Sequence, residues 1–117
     1  MIAFRALVLL AVLLGAGPAL ARDGFLDAIP DLPLAAGLTE DQSRAVVFDK
    51  ATGRIVEAVA TGAVDRARVV AFYAATLPEL GWRPLGDLSY ARGDERLRLT
   101  IDGGDGALRV RFSLSPD

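Results

Sequence analysis

The chain has 117 residues, with 13 basic and 15 acidic side chains, no histidine and no cysteine. The formal net charge of −2 argues against nucleic-acid binding, for which a basic balance is expected. Without histidine or cysteine the chain lacks the commonest general base, a thiol nucleophile and the ligands of most transition-metal sites. It also cannot form the disulfides that often stabilise small exported domains.

Residues 1–21 have the pattern of a signal peptide. Arg5 precedes the apolar run 6–14, glycines and a proline break that run, and Ala-Leu-Ala at 19–21 is a small-x-small cleavage site. The apolar run is shorter than the about 20 residues that span a bilayer. We therefore expect cleavage after Ala21, no membrane span after cleavage, and a periplasmic or secreted location.

Residues 22–43 are predicted to form a proline-containing N-terminal arm, which precedes a domain at 44–117. Pro30 and Pro33 hold the residues before them in extended conformations and provide no backbone N–H donors. We expect the leucines around them to dock on the edge of the domain.

Two strands are predicted at 44–49 and 54–61, because both segments are rich in β-branched residues and a glycine-containing turn separates them. In the second strand the two alternating sets of side chains compete for the buried face. We favour the set with the smaller side chains, since it would let a helix approach the sheet closely. This set comprises Val56, Ala58 and Ala60.

The segment 65–81 carries the strongest helix signal after the leader. Asp65 is suited to cap the first turn, because its carboxylate can accept from free backbone amides at the positive end of the helix dipole. Pro78 predicts a stop near Leu77, and Gly81 suits the left-handed position that ends a helix. Apolar residues at helical spacing share one face. They are Val69, Val70, Phe72, Tyr73, Thr76, Leu77 and Leu80.

Three further strands are predicted at 88–91, 96–102 and 108–114, where apolar and polar residues alternate. The predicted fold is therefore α+β with the order ββαβββ, in which one helix packs on one face of an antiparallel sheet.

The outer face of the last hairpin carries the candidate binding site, formed by Arg96, Arg98, Arg109 and Arg111. A four-residue turn at 103–106 gives a register in which Arg98 stands opposite Arg111, and such like-charge pairs destabilise a sheet. Two interpretations remain open. Either the face is simply solvated, with arginine stems covering apolar surface, or it binds an anionic partner, because guanidinium groups match carboxylates and phosphates.

No catalytic, cofactor-binding or metal-binding motif stands in the sequence, so we expect neither enzyme activity nor a cofactor. Two pairs of carboxylates lie at turns, Asp94 with Glu95 and Asp102 with Asp105. Asp is common in turns for backbone reasons, and the turn interpretation therefore explains both pairs without catalysis.

Several local features occur together in this chain: an arm containing Ile-Pro, a helix with Phe-Tyr and Leu-Pro, a Gly-Trp step and a strand meander. They lie at 29–37, 72–73, 77–78, 81–82, 88–90 and 97–101. In this combination the chain resembles a set of small exported bacterial domains without an assigned activity. The resemblance implies the fold and an envelope location, and it carries over no active-site residue.

Two hypotheses about function follow. The first is a non-enzymatic binding module of the cell envelope, whose partner is an envelope protein or an anionic envelope component. The alternative is a small-ligand-binding domain with a pocket between helix and sheet, where the small side chains of Ala58 and Ala60 would leave room. A buried cavity would favour the alternative, and a flat charged surface would favour the binding module.

Overall fold

The computed structural model describes residues 24–117, so the predicted signal peptide at 1–21 lies outside the described residues. The strands are β1 (Thr39–Glu40), β2 (Val46–Lys50), β3 (Gly53–Gly62), β4 (Arg83–Gly86), β5 (Ser89–Arg92), β6 (Glu95–Asp102) and β7 (Leu108–Pro116). The helix α1 is Arg66–Thr76, and short 3-10 segments occupy Gln42–Arg44 and Leu77–Leu80. Within 24–117 no helix is both long and apolar enough to cross a membrane.

The strands form one antiparallel sheet in the order β1-β3-β7-β6-β5-β4, and β2 also pairs with β3. Both β1 and β2 pair with β3, β1 near its end and β2 along its first half. The helix α1 connects β3 to β4 at the far edge, after which the chain meanders back through β5 and β6 to β7. This confirms the α+β fold with an antiparallel sheet.

The sheet has seven strands where the sequence predicts five. The two additional strands are the edge strands β1, with two residues, and β4, with four. Neither is long enough to show a clear alternation of apolar and polar residues, and β4 contains Pro84, which is confined to edge positions in sheets. Pairing with a longer neighbour, rather than local pattern, defines both strands.

The core lies between one face of the sheet and α1. The predicted inward set of β3 is confirmed, since Val56, Ala58 and Ala60 are completely buried. The buried side chains of the later strands alternate as predicted. They include Tyr90, Leu97, Leu99, Leu108, Val110, Phe112 and Leu114.

The helix ends where the sequence predicts. The α-helical conformation stops at Thr76, Pro78 lies in the 3-10 segment, and Gly81 adopts a left-handed φ of 94°. Leu80 is an exception to the predicted apolar face, because it is 39% exposed. The change from α-helical to 3-10 winding rotates this residue away from the core, since the two helices differ in residues per turn.

The arm is part of the core. Leu26, Ile29 and Leu32 are each 1% exposed and belong to the same hydrophobic cluster as the helix and the sheet. The hydroxyl of Tyr73 donates to the carbonyl oxygen of Pro33 at 2.8 Å and accepts from the backbone N–H of Ala35 at 3.1 Å. The arm and α1 therefore cover the inner face of the sheet together.

Candidate functional site: the outer face of the sheet

The four candidate arginines lie on the face of the sheet that neither the helix nor the arm covers. They alternate along β6 and β7 with buried residues of the core, so their side chains point to the opposite side. Arg96, Arg98 and Arg109 are exposed, and Arg111 is half-buried. We call this set the arginine face.

The predicted opposition of Arg98 and Arg111 is wrong. Arg98 lies opposite Ser113 on β7 and Ser89 on β5. Arg111 lies opposite Thr100 on β6 and Val59 on β3. No two arginines of the arginine face stand directly opposite one another, and the expected like-charge repulsion between direct partners is absent.

The loop between β6 and β7 explains the difference. Asp102 pairs with Arg109, so the segment between paired residues runs from 103 to 108 and not from 103 to 106. The loop is closed by the N–H of Ala107, which donates to the carbonyl of Gly104, and it is tied to the chain before α1 by the N–H of Gly106, which donates to the carbonyl of Val64. The longer loop shifts the register by two residues, which preserves the faces and changes every partner.

Two arginines of the arginine face have acidic neighbours. Arg96 Nη2 lies 2.6 Å from Oδ1 of Asp117, with both side chains nearly half exposed. Arg109 pairs with Asp102 across the strands. Arg109 also contributes to a lowered pKa of Asp41, although the main cause is the hydrogen bond from the Ser43 hydroxyl.

The other two arginines form no ion pair with a described residue, although Glu57 lies opposite Ser113 on the same face. Among residues 24–117, no carboxylate oxygen lies within 4 Å of Arg98 or Arg111. Ser89 and Ser113 flank Arg98 in one row across the sheet. Two guanidinium groups and the hydroxyl of the half-buried Ser113 therefore lie on one face of the sheet, whereas Ser89 is buried. Guanidinium groups and a hydroxyl can together bind a carboxylate or a phosphate.

Apolar residues next to the arginine face are well buried, although neither α1 nor the hydrophobic core of the described chain lies on this side of the sheet. Val59, opposite Arg111, is 5% exposed, and Ala91, opposite Arg96, is 3% exposed. Long arginine stems can cover apolar surface in this way while the charged ends remain in water. The stems have a structural role that is compatible with a binding role for the guanidinium groups.

Two grooves of the described chain lie elsewhere than the ligand pocket expected between helix and sheet. A groove of about 790 Å³ runs along the arm and β1, and one of about 210 Å³ lies between the arm and α1. Neither is lined by Ala58 or Ala60, which are completely buried in the core. These two grooves therefore give no support to a pocket beside the alanines.

Arg92 connects three parts of the chain, a role that the sequence did not indicate. Its guanidinium lies 4.3 Å from the centre of the Trp82 ring, and Nη2 is 2.8 Å from Oδ2 of Asp31 in the arm. Its Nη1 donates to the carbonyl oxygen of Leu80 at 3.3 Å. These contacts join β5, the end of the helix and the arm, so Arg92 has a structural role on the inner side of the sheet.

The two carboxylate pairs at turns, Asp94 with Glu95 and Asp102 with Asp105, belong to no cluster of potential metal ligands in the described part of the chain. Within residues 24–117, no group of three or more such ligands occurs. The chain matches no family model, no curated protein and no solved structure. The arginine face is therefore interpreted from its own geometry and charge.

Proposed function

We propose that the protein is an exported, non-enzymatic binding module that recognises an anionic group on an envelope protein or another envelope component. The arginine face is the binding surface, with Arg98 and Arg111 as its central contacts. The observation that carries the proposal is that, within residues 24–117, no carboxylate oxygen lies within 4 Å of either guanidinium group. Arginines without an internal acidic partner keep their hydrogen-bond donors available for an external one.

The position of the two arginines supports this role. The side chain of Arg98 is directed to solvent from the middle of β6, and nothing in the core requires its charge. The corrected register removes the repulsion that would otherwise make the pair unfavourable, so the fold holds two cations near each other at little cost. The neighbouring Ser113 adds a neutral donor that suits an oxyanion.

The test compares binding of defined anions by the protein and by the double variant Arg98→Gln, Arg111→Gln. An oligoglutamate peptide supplies carboxylates, and vesicles that contain phosphatidylglycerol supply phosphates. We expect the protein to bind at least one of them, with an affinity that falls as salt rises, and the variant to lose that binding. The free energy of unfolding of the variant should change by less than about 0.5 kcal/mol for each substitution.

A matched control removes the same charge elsewhere. The double variant Arg54→Gln, Arg68→Gln changes two exposed cations outside the arginine face and should bind as the unchanged protein does. Equal losses in the two double variants would indicate a response to net charge alone and would contradict a specific site. Binding that survives in the Arg98, Arg111 variant would contradict the proposal directly.

A further inference from the structure

The strand β2 carries an exposed apolar edge. Val46, Val47 and Phe48 are 53%, 60% and 59% exposed, and the other residues of β2 are exposed as well. In the described part of the chain β2 pairs with β3 alone. Since alternate residues of an antiparallel strand direct their N–H and C=O groups away from the paired neighbour, the other edge of β2 presents backbone groups that can pair with a further strand.

The opposite edge of the sheet, formed by β4, is protected from pairing with a further strand. The strand β4 contains Pro84, which has no N–H to donate, and its register with β5 shifts between Pro84 and Gly86. Proline and irregular pairing are devices that prevent edge strands from accepting another chain. The strand β2 has neither device, so only one of the two sheet edges is open.

We propose that β2 pairs with β2 of a second copy of this chain, in antiparallel orientation, to form a closed dimer. A two-fold axis through Val47 places Val47 opposite Val47 of the second copy and Val46 opposite Phe48 of the second copy. All three exposed apolar side chains then meet apolar partners, which is the self-complementary arrangement that a two-fold interface requires.

The neighbouring registers fit less well. Residues that oppose each other in an antiparallel pair lie on the same face, so the axis can pass through Val46, Val47 or Phe48 but not between them. An axis through Val46 would place Phe48 beyond the start of β2 of the second copy, beside the 3-10 segment that ends at the charged Arg44. An axis through Phe48 would place Val47 opposite Asp49. Each of these alternatives sets an apolar side chain against a charged one.

Charge at the ends of the strand is compatible with the register through Val47. This register brings Lys50 near Arg44 of the second copy, at the end of the 3-10 segment before β2, and these like charges would repel if unaccompanied. Arg44 is accompanied by Asp41, whose Oδ2 lies 3.6 Å from Arg44 Nε. Each Lys50 therefore approaches an ion pair and not an isolated cation.

The geometry also predicts the size and strength of the assembly. Because β4 cannot continue the pairing, association stops at two copies and does not propagate into a filament. One strand and three apolar side chains per copy make a small interface compared with the roughly 1,200–2,000 Å² that stable complexes bury. We expect a dimer whose population rises with protein concentration. The proposal is independent of the arginine face.

Sedimentation velocity over a wide concentration range tests the proposal on the protein purified from expressing cells. The unchanged protein should shift from monomer to dimer, and never to larger species. Val47→Lys should raise the dissociation constant by about tenfold or more, because two lysines would oppose each other at the axis. Leu85→Lys, the matched change at a similarly exposed apolar residue of β4, should leave the dissociation constant unchanged.

A charge swap tests the register. Val47→Asp alone should also weaken the dimer, whereas an equimolar mixture of the Val47→Asp and Val47→Lys variants should restore it, since opposite charges then face each other. Far-ultraviolet circular dichroism confirms that each variant is folded, as expected for a side chain that is largely exposed. A protein that stays monomeric at every concentration, a dimer that is insensitive to Val47→Lys, or a mixture that fails to associate would each overturn the proposal.

Discussion

Tyr73 is the residue through which the helix holds the arm. The side chain is completely buried, and its hydroxyl both donates to Pro33 and accepts from Ala35. Its ring packs edge-to-face on Phe72 and Phe112, with ring centres 4.9 Å and 5.6 Å away. Burial raises the pKa of the Tyr73 phenol well above its usual range, so the folded protein keeps the hydroxyl protonated and both hydrogen bonds intact.

Substitution of Tyr73 by Phe tests this role. The change leaves a buried carbonyl and a buried N–H without partners, and it should lower the free energy of unfolding by about 1–3 kcal/mol at neutral pH. Above about pH 10 the unfolded chain releases the Tyr73 proton while the folded chain keeps it. The free energy of unfolding of the unchanged protein should therefore fall as pH rises there, and urea denaturation should show a shallower fall for the variant.

Tyr90 provides the control for that experiment. It is 5% exposed, burial raises its pKa as well, and its hydroxyl has no hydrogen bond to the described part of the chain. Tyr90→Phe should make the alkaline fall shallower too, but it should have a smaller effect at neutral pH. If the two substitutions had equal effects at neutral pH, the hydrogen bonds of Tyr73 to the arm would not contribute to stability.

At the scale of the element, the start of α1 depends on a residue distant in sequence. Asp65 occupies the N-cap position, as predicted, yet its side chain makes no capping hydrogen bond. Oδ1 of Asp105, from the loop between β6 and β7, accepts from the N–H of Arg66 at 2.9 Å. The loop that sets the register of the last hairpin therefore also caps the helix.

The two aspartates should differ in their contribution to stability. Asp105→Ala removes an acceptor for the first turn of the helix and should lower the free energy of unfolding by about 0.5–2 kcal/mol. Asp65→Ala removes no hydrogen bond and should have the smaller effect, limited to the loss of a negative charge near the helix dipole. Thermal or urea denaturation of both variants measures the two effects. A larger effect at Asp65 would contradict this assignment of the cap.

The same loop shows what could be predicted from the sequence. Alternation of apolar and polar residues identifies the faces of β6 and β7, and the arginine face was found on that basis. It cannot identify cross-strand partners, because a shift of two residues preserves both faces. The shift depends on contacts of the loop with the segment around α1, which join residues about 40 positions apart, as between Asp105 and Arg66.

Short segments were less predictable for a related reason. The strand β4 and the turn that follows depend on neighbouring chain, and Leu88, predicted to lie in a strand, adopts a left-handed φ of 62° in the turn before β5. Leucine has no preference for that conformation, so Leu88 itself gives no turn signal, although Gly86 and Asp87 before it are common turn residues. Helix limits were more predictable, since proline and glycine act locally through Pro78 and Gly81.

At the scale of the molecule, the sheet has one covered face and one open face. Val46 and Phe48 lie on the same face as the arginine face, because they pair with Glu57 and Ile55 on the outer side of β3. A two-fold axis perpendicular to the sheet keeps the outer faces of both copies on one side. The proposed dimer would thus present two arginine faces together, and binding of an anionic surface would gain from the second contact.

The covered face leads to a prediction about the arm. Ile29 is 1% exposed within the cluster that includes α1 and the sheet, whereas Phe25 in the same arm is 47% exposed. If the arm is part of the core, Ile29→Ala should lower the free energy of unfolding by about 2–5 kcal/mol, through lost burial and the cavity left behind. Phe25→Ala, although it removes a larger side chain, should lower it by less than about 1 kcal/mol.

Urea denaturation followed by Trp82 fluorescence suits this comparison, because Trp82 is 2% exposed and Arg92 connects its ring to Asp31 of the arm. A single transition shared by fluorescence and circular dichroism would show that arm, helix and sheet unfold together. An arm that only rests on the surface would detach first, giving an early fluorescence change and little effect of Ile29→Ala on the main transition. The burial of Ile29 predicts the cooperative result.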